Sequence, residues 1–327
     1  MKIFNTKSQL DKGPRIVVIG GGTGLYVLLR GLKKFTSNIT AVVTVFDTGG
    51  SSGRLRKELG VLPPGDIRNC LVALATAEPL MERLFQYRFT NGSLKGHSFG
   101  NLFISAMSEV SGDFIKAIEK SSEILAIRGK VLPSSLENVT LSAKMKEGIV
   151  IKGETEITQS SKVIDKIYLE PSPVLPLPET LEAIQRAEVI VLGPGSLYTS
   201  IICNLLVEGI PEAIINSRAL KIYVCNLMTQ KGETDNYTAS QHLKEVVKYL
   251  GSNCVNYIIA NSAKIDTKLK KRYAQEGSYQ VEVDESEILK TGVKLISREL
   301  WLSQNLARHD SNMLAQTIID LILGRKS

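Results

Sequence analysis

Short, largely apolar runs rich in β-branched residues recur along the chain: RIVVIG (15–20), ITAVVTVF (39–46), VIVLG (189–193), KIYVCNL (221–227) and VNYIIAN (255–261). Runs of this kind, without polar alternation, predict strands covered on both faces, as in a parallel sheet. Between them lie segments with helical spacing of apolar residues, such as 25–32 and YTASQHLKEVVKYL (237–250). Strand, glycine-rich turn, helix, strand is the βαβ order, so the pattern predicts an α/β fold with a doubly wound, mostly parallel sheet.

The rhythm changes after residue 128. VTLSAKM (139–145), IVIKGETEI (149–157) and KVIDKIYLE (162–170) are short alternating runs, with a turn signal at Glu147-Gly148. They predict a hairpin-rich insert, closed by the proline-rich EPSPVLPLPE (170–179). The expectation is one α/β domain over 1–327 with a β-rich lobe inserted at 128–176. No internal repeat is visible.

Composition narrows the function classes only slightly. A formal charge of +7 and a pI near 9.1 favour anionic partners without choosing among them. Cys70, Cys203, Cys225 and Cys254 are scattered in or beside apolar segments, so neither a disulfide framework nor a zinc site is expected. His97, His242 and His309 are equally dispersed. The first residues lack the apolar core of a signal peptide, and no run approaches the ~18 residues of a membrane span. A cytoplasmic protein without a membrane span is expected.

Candidate chemistry sits in loops that leave the predicted strands. GGGTGL (20–25) offers Gly21, Gly22, Thr23 and Gly24 at a helix start, where backbone N–H groups and the helix dipole attract anions. It is neither the dinucleotide fingerprint, which would need glycine at Leu25, nor a P-loop, and any tight strand-to-helix turn would use the same glycines. FDTGGSSGRLR (46–56) places Asp47 at a strand end, followed by Gly49, Gly50, Ser51, Ser52, Arg54 and Arg56, which suits an anion held near a ribose or metal. An exposed, solvated loop has the same composition.

LPPGDIRN (62–69) forces a turn in which Asp66 can cap the next helix; alternatively, Asp47 and Asp66 converge on one divalent cation, Mg²⁺ being the candidate, with Arg68 and Asn69 beside it. GPGSLYTS (193–200) repeats the first loop's design, with Gly193, Gly195, Ser196, Thr199 and Ser200 as phosphate donors or Ser196 as a simple cap. No nucleophile elbow or triad is present. CNLMTQKGETDNYT (225–238) carries Asn226, Thr229, Gln230 and Glu233, a composition that fits ribose or base contacts. His97, in GHSFGN (96–101), is read as structural.

These motifs, in this order, resemble the YvcK-type gluconeogenesis factors, within the wider CofD-like family of 2-phospho-L-lactate transferase. The similarity runs from about Arg15 to the last helix. It implies a Rossmann-like α/β domain with a smaller lobe and a ligand cleft at the sheet end. The transferase branch moves a phospholactyl group from a guanosine diphosphate carrier to a deazaflavin precursor, using Mg²⁺ at positions that match Asp47 and Asp66. The other branch binds UDP-sugars such as UDP-N-acetylglucosamine and supports cell shape on gluconeogenic carbon sources. There, a tyrosine and an arginine hold the nucleotide, matching Tyr273 in KKRYAQE and Arg308 in LARHDS. In VFDTGG, Thr48 replaces the second acidic or amide residue common in the family, which weakens a transferase site more than a binding site.

Two functional readings follow: a nucleotide-sugar-binding regulatory protein with no assigned catalytic residue, or a Mg²⁺-dependent phospholactyl transferase. Nucleic-acid binding has only the net charge behind it. A homodimer is allowed by the ample apolar surface, although no motif specifies one.

Overall fold

The computed structural model describes residues 7–76, 78–302 and 306–326. Seven strands form one parallel sheet in the order β10-β9-β8-β7-β1-β2-β3. They are β1 (Ile16–Gly20), β2 (Ile39–Val43), β3 (Lys130–Pro133), β7 (Val189–Leu192), β8 (Leu220–Val224), β9 (Tyr257–Asn261) and β10 (Lys294–Arg298). Every residue of β1, β7 and β8 is buried, which is why these runs show no alternation. The sheet is an α/β, Rossmann-like arrangement in which the strand order reverses between β1 and β7.

The inserted lobe is a three-stranded antiparallel sheet ordered β5-β4-β6, from β4 (Thr140–Met145), β5 (Val150–Lys152) and β6 (Ile164–Glu170). It is shorter than the expected 128–176. Lys130–Pro133 pair in parallel with β2 and belong to the main sheet, because Val131 and Pro133 bury against the core there. The run IVIKGETEI is also not one strand. Gly153, at φ +100°, ends β5 and starts a short helix over Glu154–Gln159. A last two-stranded ribbon pairs β11 (Trp301–Leu302) with β12 (Arg308–His309).

Helices cover both faces of the main sheet. In chain order they are α1 (Lys7–Leu10), α2 (Gly22–Leu32), α3 (Gly50–Leu59), α4 (Gly65–Leu74), α5 (Pro79–Gln86), α6 (Phe99–Ser111), α7 (Phe114–Ile124), α8 (Glu154–Gln159), α9 (Pro178–Arg186), α10 (Ile210–Asn216), α11 (Ala239–Leu250), α12 (Thr267–Gln275), α13 (Glu285–Leu289) and α14 (Ser311–Lys326). Leu25, Leu28, Leu29 and Leu32 make the buried stripe of α2, which packs between α4 and α14. Thr238 and Gln241 start α11 with a capping box.

Two further segments depart from the sequence reading. The second strand stops at Val43, and residues 44–49 run as extended loop, so the stretch 46–56 splits into a loop and the first turns of α3. After β7, the segment Leu197–Ile201 winds as a π turn and Ile202–Leu206 as a 3₁₀ turn instead of an α-helix. The four cysteines are free and buried, as their apolar settings imply. Among the described residues no single helix is long and apolar enough to cross a membrane.

Candidate functional site

The carboxyl ends of β1 and β7 mark the point where strand order reverses, the position at which open α/β sheets bind ligands. The two glycine turns leaving these strands touch backbone to backbone. A Cβ on Gly24 would lie 2.6 Å from the Pro194 carbonyl oxygen, and one on Gly195 would lie 3.0 Å from the Gly21 carbonyl oxygen. Side chains at these positions would force the turns apart, so glycine here buys close approach.

Beside the turns lies a cleft of about 370 Å³. Gly22, Thr23, Gly24, Gly195, Ser196, Asn226, Thr229, Tyr273 and Arg308 all line it, from five separate stretches of chain. Val27, Leu227 and Met228 add apolar wall, while Gln230, Ser278 and His309 add polar groups. No carboxylate lines this cleft, and Arg308 is its one cationic side chain among the described residues. An anionic ligand with an apolar or aromatic part suits such walls.

The cleft is stiffened by side-chain links between loops. Asn226 binds Gly195 twice: its Oδ1 accepts the backbone N–H at 3.2 Å and its Nδ2 donates to the carbonyl at 2.8 Å. Gln230 Nε2 donates to Ser196 Oγ at 2.8 Å. The Tyr273 hydroxyl accepts the N–H of Ala307 at 3.1 Å, which ties α12 to the ribbon that presents Arg308. Leu227, Met228, Ile265 and Leu269 form a small apolar cluster under this wall, with Tyr273, Trp301 and Ala307 packed on it. His309 is 8% exposed, and burial pushes its imidazole down to about 4 against the raising effect of its hydrogen bond with the Cys225 backbone. It is a neutral member of the wall.

Asp47 and Asp66 lie in each other's electric field, in a second cluster beyond Gly22. Asp66 lies in the first turn of α4 and does not cap it; the cap position is Pro64. Its carboxylate instead accepts the N–H of Gly22 at 2.7 Å, and its other oxygen meets Asn69 Nδ2 at 3.4 Å. Burial first, then the charges of Asp66 and Glu154, holds the Asp47 carboxyl well above the usual carboxylate range, against the pull of Arg56 and Arg68. Burial also raises Asp66, while the bonds from Gly22 and Asn69 oppose it. Glu154 comes from α8 of the inserted lobe, and burial raises it too. Sequence reading missed this residue because it placed Glu154 inside a strand. No spacing signal links it to Asp47 across so many intervening residues.

The rest of the 46–56 stretch is engaged within the protein. Thr48 Oγ1 accepts the N–H of Thr155 at 3.2 Å, so the lobe docks on this loop. A Cβ on Gly49 would lie 2.5 Å from Thr155 Oγ1, and Gly50 takes φ +54°. Ser51 Oγ bonds His97 Nδ1 at 3.1 Å, and Ser52 Oγ accepts from Asn101 Nδ2 at 3.4 Å. Arg54 Nη2 donates to the Lys95 carbonyl at 2.8 Å and Arg56 Nη2 to the Val139 carbonyl at 2.7 Å. Arg68 Nη2 donates to Asn69 Oδ1 at 2.6 Å, leaving its buried Nε without a partner among the described residues. The expected wrapping of this stretch around the ligand of the glycine turns is therefore divided: none of these residues lines the cleft that holds Tyr273 and Arg308.

The second glycine turn is also altered. Ser196 makes no capping bond; its hydroxyl serves Gln230. Thr199 donates its hydroxyl to Glu233 Oε1 at 3.0 Å, and Glu233 Oε2 accepts the N–H groups of Tyr198 at 3.1 Å and Thr199 at 3.4 Å. Of the donors expected for a phosphate here, those of Thr199 are held by a carboxylate of the chain itself. Gly193, at φ +78°, and Ser200, packed on Gly21 and Gly22, do not line the cleft.

Residues 16–301 match the family described as 2-phospho-L-lactate transferase CofD. The chain belongs to the CofD family. Curated relatives include the gluconeogenesis factor of Halalkalibacterium halodurans, 50% identical over 94% of this chain and 97% of that protein. The gluconeogenesis factor of Bacillus subtilis is 47% identical over 96% of this chain and 99% of that protein. A crystal structure of a UPF0052-family protein from Bacillus halodurans superposes with a TM-score of 0.92 at 50% identity, covering 94% of this chain and 99% of that one.

Proposed function

We propose that this CofD-family chain is a gluconeogenesis factor that binds a nucleotide sugar of the UDP-N-acetylglucosamine type in the cleft between the β1 and β7 turns. The observation that carries the reading is the meeting of Arg308 and the Tyr273 ring with the Thr23-Gly24 helix start in one cleft whose walls, among the described residues, hold no carboxylate. Arg308 pairs with a phosphate, the α2 terminus offers N–H donors to the same charge, and the Tyr273 ring supplies a stacking surface. The size of the cleft accommodates part of such a ligand and leaves the rest at its open mouth.

A role in maintaining cell shape on gluconeogenic carbon sources follows as the physiological expectation from the family resemblance and from the names of the relatives. The test is a ligand screen by thermal shift with UDP-sugars, free UDP and GDP, coupled to complementation of a relative's deletion strain by wild type and Arg308→Ala. Stabilisation by a UDP-sugar together with rescue only by wild type supports the reading.

The second reading, a Mg²⁺-dependent phospholactyl transferase, is favoured by one observation. The Asp47 carboxylate receives no hydrogen bond among the described residues and lies in the field of Asp66. Its oxygens, with those of Asp66 already bonded to Gly22 and Asn69, are hard donors that fit Mg²⁺ completed by phosphate oxygens and water. No group of three or more metal-ligating side chains is present among the described residues, so the ligand itself would have to complete the shell. When bound, Mg²⁺ would neutralise phosphate charge. Asp47 and Asp66 would hold it, and Arg68 would face the same anion.

A further inference from the structure

Glu233 is the feature that neither functional reading uses. It is only 4% exposed, lies outside the cleft lining, and makes three hydrogen bonds to the start of the π turn. Its own segment is folded back tightly: Thr234 N–H donates to the Gln230 carbonyl at 2.8 Å, and Gln230 N–H donates to Thr234 Oγ1 at 2.9 Å. Gly232, at φ +84°, fits against the end of α8, where a Cβ would lie 2.6 Å from the carbonyl oxygens of Thr158 and Ser160. Residues 226–234 therefore run between the cleft, the π turn and the lobe. They carry Asn226, Thr229 and Gln230 into the cleft wall.

We propose that Glu233 is a positioning residue for the cleft: by accepting the N–H groups of Tyr198 and Thr199 and bonding the Thr199 hydroxyl, it locks the 226–234 segment to the 193–200 turn. The alternatives for that segment are weaker. Asn226 and Gln230 hold the same two loops together with one or two bonds each at the cleft side, whereas Glu233 alone makes three bonds to the π turn's amino end among the described residues.

The geometry has a pH signature. Burial, opposed by the bonds from Thr199 and Tyr198 and increased by the charge of Glu154 on α8, raises the Glu233 carboxyl to about 7. Cys203, on the adjoining 3₁₀ turn, feels Glu233 but is a neutral thiol held above its usual range. Opening the segment returns Glu233 to water, where its affinity for a proton drops. The closed form therefore binds the proton more tightly, and closure weakens as pH rises from about 4.3 towards 7. Glutamine copies the protonated form: its carbonyl can take the two N–H bonds and its amide can donate to Thr199 Oγ1.

The test is hydrogen exchange of the full chain, read as protection factors corrected for intrinsic exchange, in wild type, Glu233→Gln and Glu233→Ala. It needs no ligand. In wild type, protection of 195–201 and 226–236 is expected to fall at least ten-fold between pH 5 and pH 8, while β1 and β7 stay protected. Glu233→Gln should lose that pH dependence and exceed wild type at pH 8. Glu233→Ala should lose protection in both segments at every pH. If the alanine variant does not fold, Thr199→Val, which removes one of the three bonds, should give a smaller loss in the same segments. Protection in these segments that ignores pH in wild type, or matches wild type in the variants, overturns the proposal. A second arm rests on the proposed nucleotide reading: UDP-N-acetylglucosamine should bind at least ten-fold more weakly to Glu233→Ala than to Glu233→Gln. Equal affinities would contradict a positioning role, while binding to none of the proteins with exchange as expected would sink the nucleotide reading alone.

Discussion

The Asp66 carboxylate accepts the backbone N–H of Gly22 at 2.7 Å, joining the start of α4 to the start of α2. One acidic residue thus connects the cleft of the β1 turn to the cluster around Asp47. The bond also explains Gly21, where a Cβ would lie 2.4 Å from Asp66 Oδ2.

Replacing Asp66 by alanine leaves the Gly22 donor without its partner, and the expected loss is about 1–3 kcal/mol in urea unfolding. Asp66→Asn keeps an acceptor and removes a charge from a buried, crowded setting. Its stability should match or exceed wild type at pH 7.5. A destabilisation as large as that of the alanine variant would show that the charge, rather than the acceptor, holds the loops together.

Gly24→Ala tests the backbone contact between the two glycine turns. The added Cβ falls 2.6 Å from the Pro194 carbonyl oxygen and 3.1 Å from Gly195 N, so backbone must move. A loss of about 1–3 kcal/mol is expected from overpacking of this kind. Ligand-induced stabilisation should vanish with it, as measured by thermal shift. Unchanged stability would mean that the turns are not in contact.

The raised carboxyl of Asp47 sets a pH dependence with a defined sign. A folded value above the unfolded one means that the native state holds the proton more tightly. Stability is therefore greatest at low pH with respect to this group and declines as pH climbs from about 3.9 through the folded value. Asp47→Asn removes the decline and should be more stable than wild type at pH 7.5. Urea midpoints between pH 5 and pH 8 check this, and a less stable asparagine variant at pH 7.5 would refute it.

Tyr273→Phe separates two roles of that residue. The ring stays in the apolar cluster with Leu269 and Met228, while the bond to Ala307 N–H is lost. The expected effect is about 1 kcal/mol on stability, with weakened ligand binding because the ribbon carrying Arg308 loosens. Tyr273→Ala should weaken binding further, through loss of the ring. Isothermal titration of both variants distinguishes these steps; identical affinities for Tyr273→Phe and wild type would confine the tyrosine to its ring.

The sheet was legible because apolar runs in strands such as β1, β7 and β8 lack alternation only when both faces are covered. The cleft was partly legible for a related reason: glycine turns at strand ends leave a compositional trace, and Tyr273 and Arg308 came from the family resemblance. What stayed hidden depends on long-range approach. Asp66 reads locally as a helix cap, yet its partner is Gly22; Thr199 reads as a phosphate donor, yet Glu233 reaches it from the next loop. Glu154 joins Asp47 only because Gly153 bends the chain into a helix after β5. Arg54 and Arg56 look available for an anion until carbonyls of Lys95 and Val139 meet them. Local pattern specifies the elements, and tertiary packing decides which polar groups remain free for a ligand.

The most direct measurement is isothermal titration of wild type and Arg308→Ala with UDP-N-acetylglucosamine and with GDP, each with and without Mg²⁺. The expected result is UDP-sugar binding that survives metal removal and falls at least ten-fold in Arg308→Ala, a loss of about 1.4 kcal/mol or more. Tight GDP binding that requires Mg²⁺ and is indifferent to Arg308 would contradict it and move the site of action to Asp47 and Asp66.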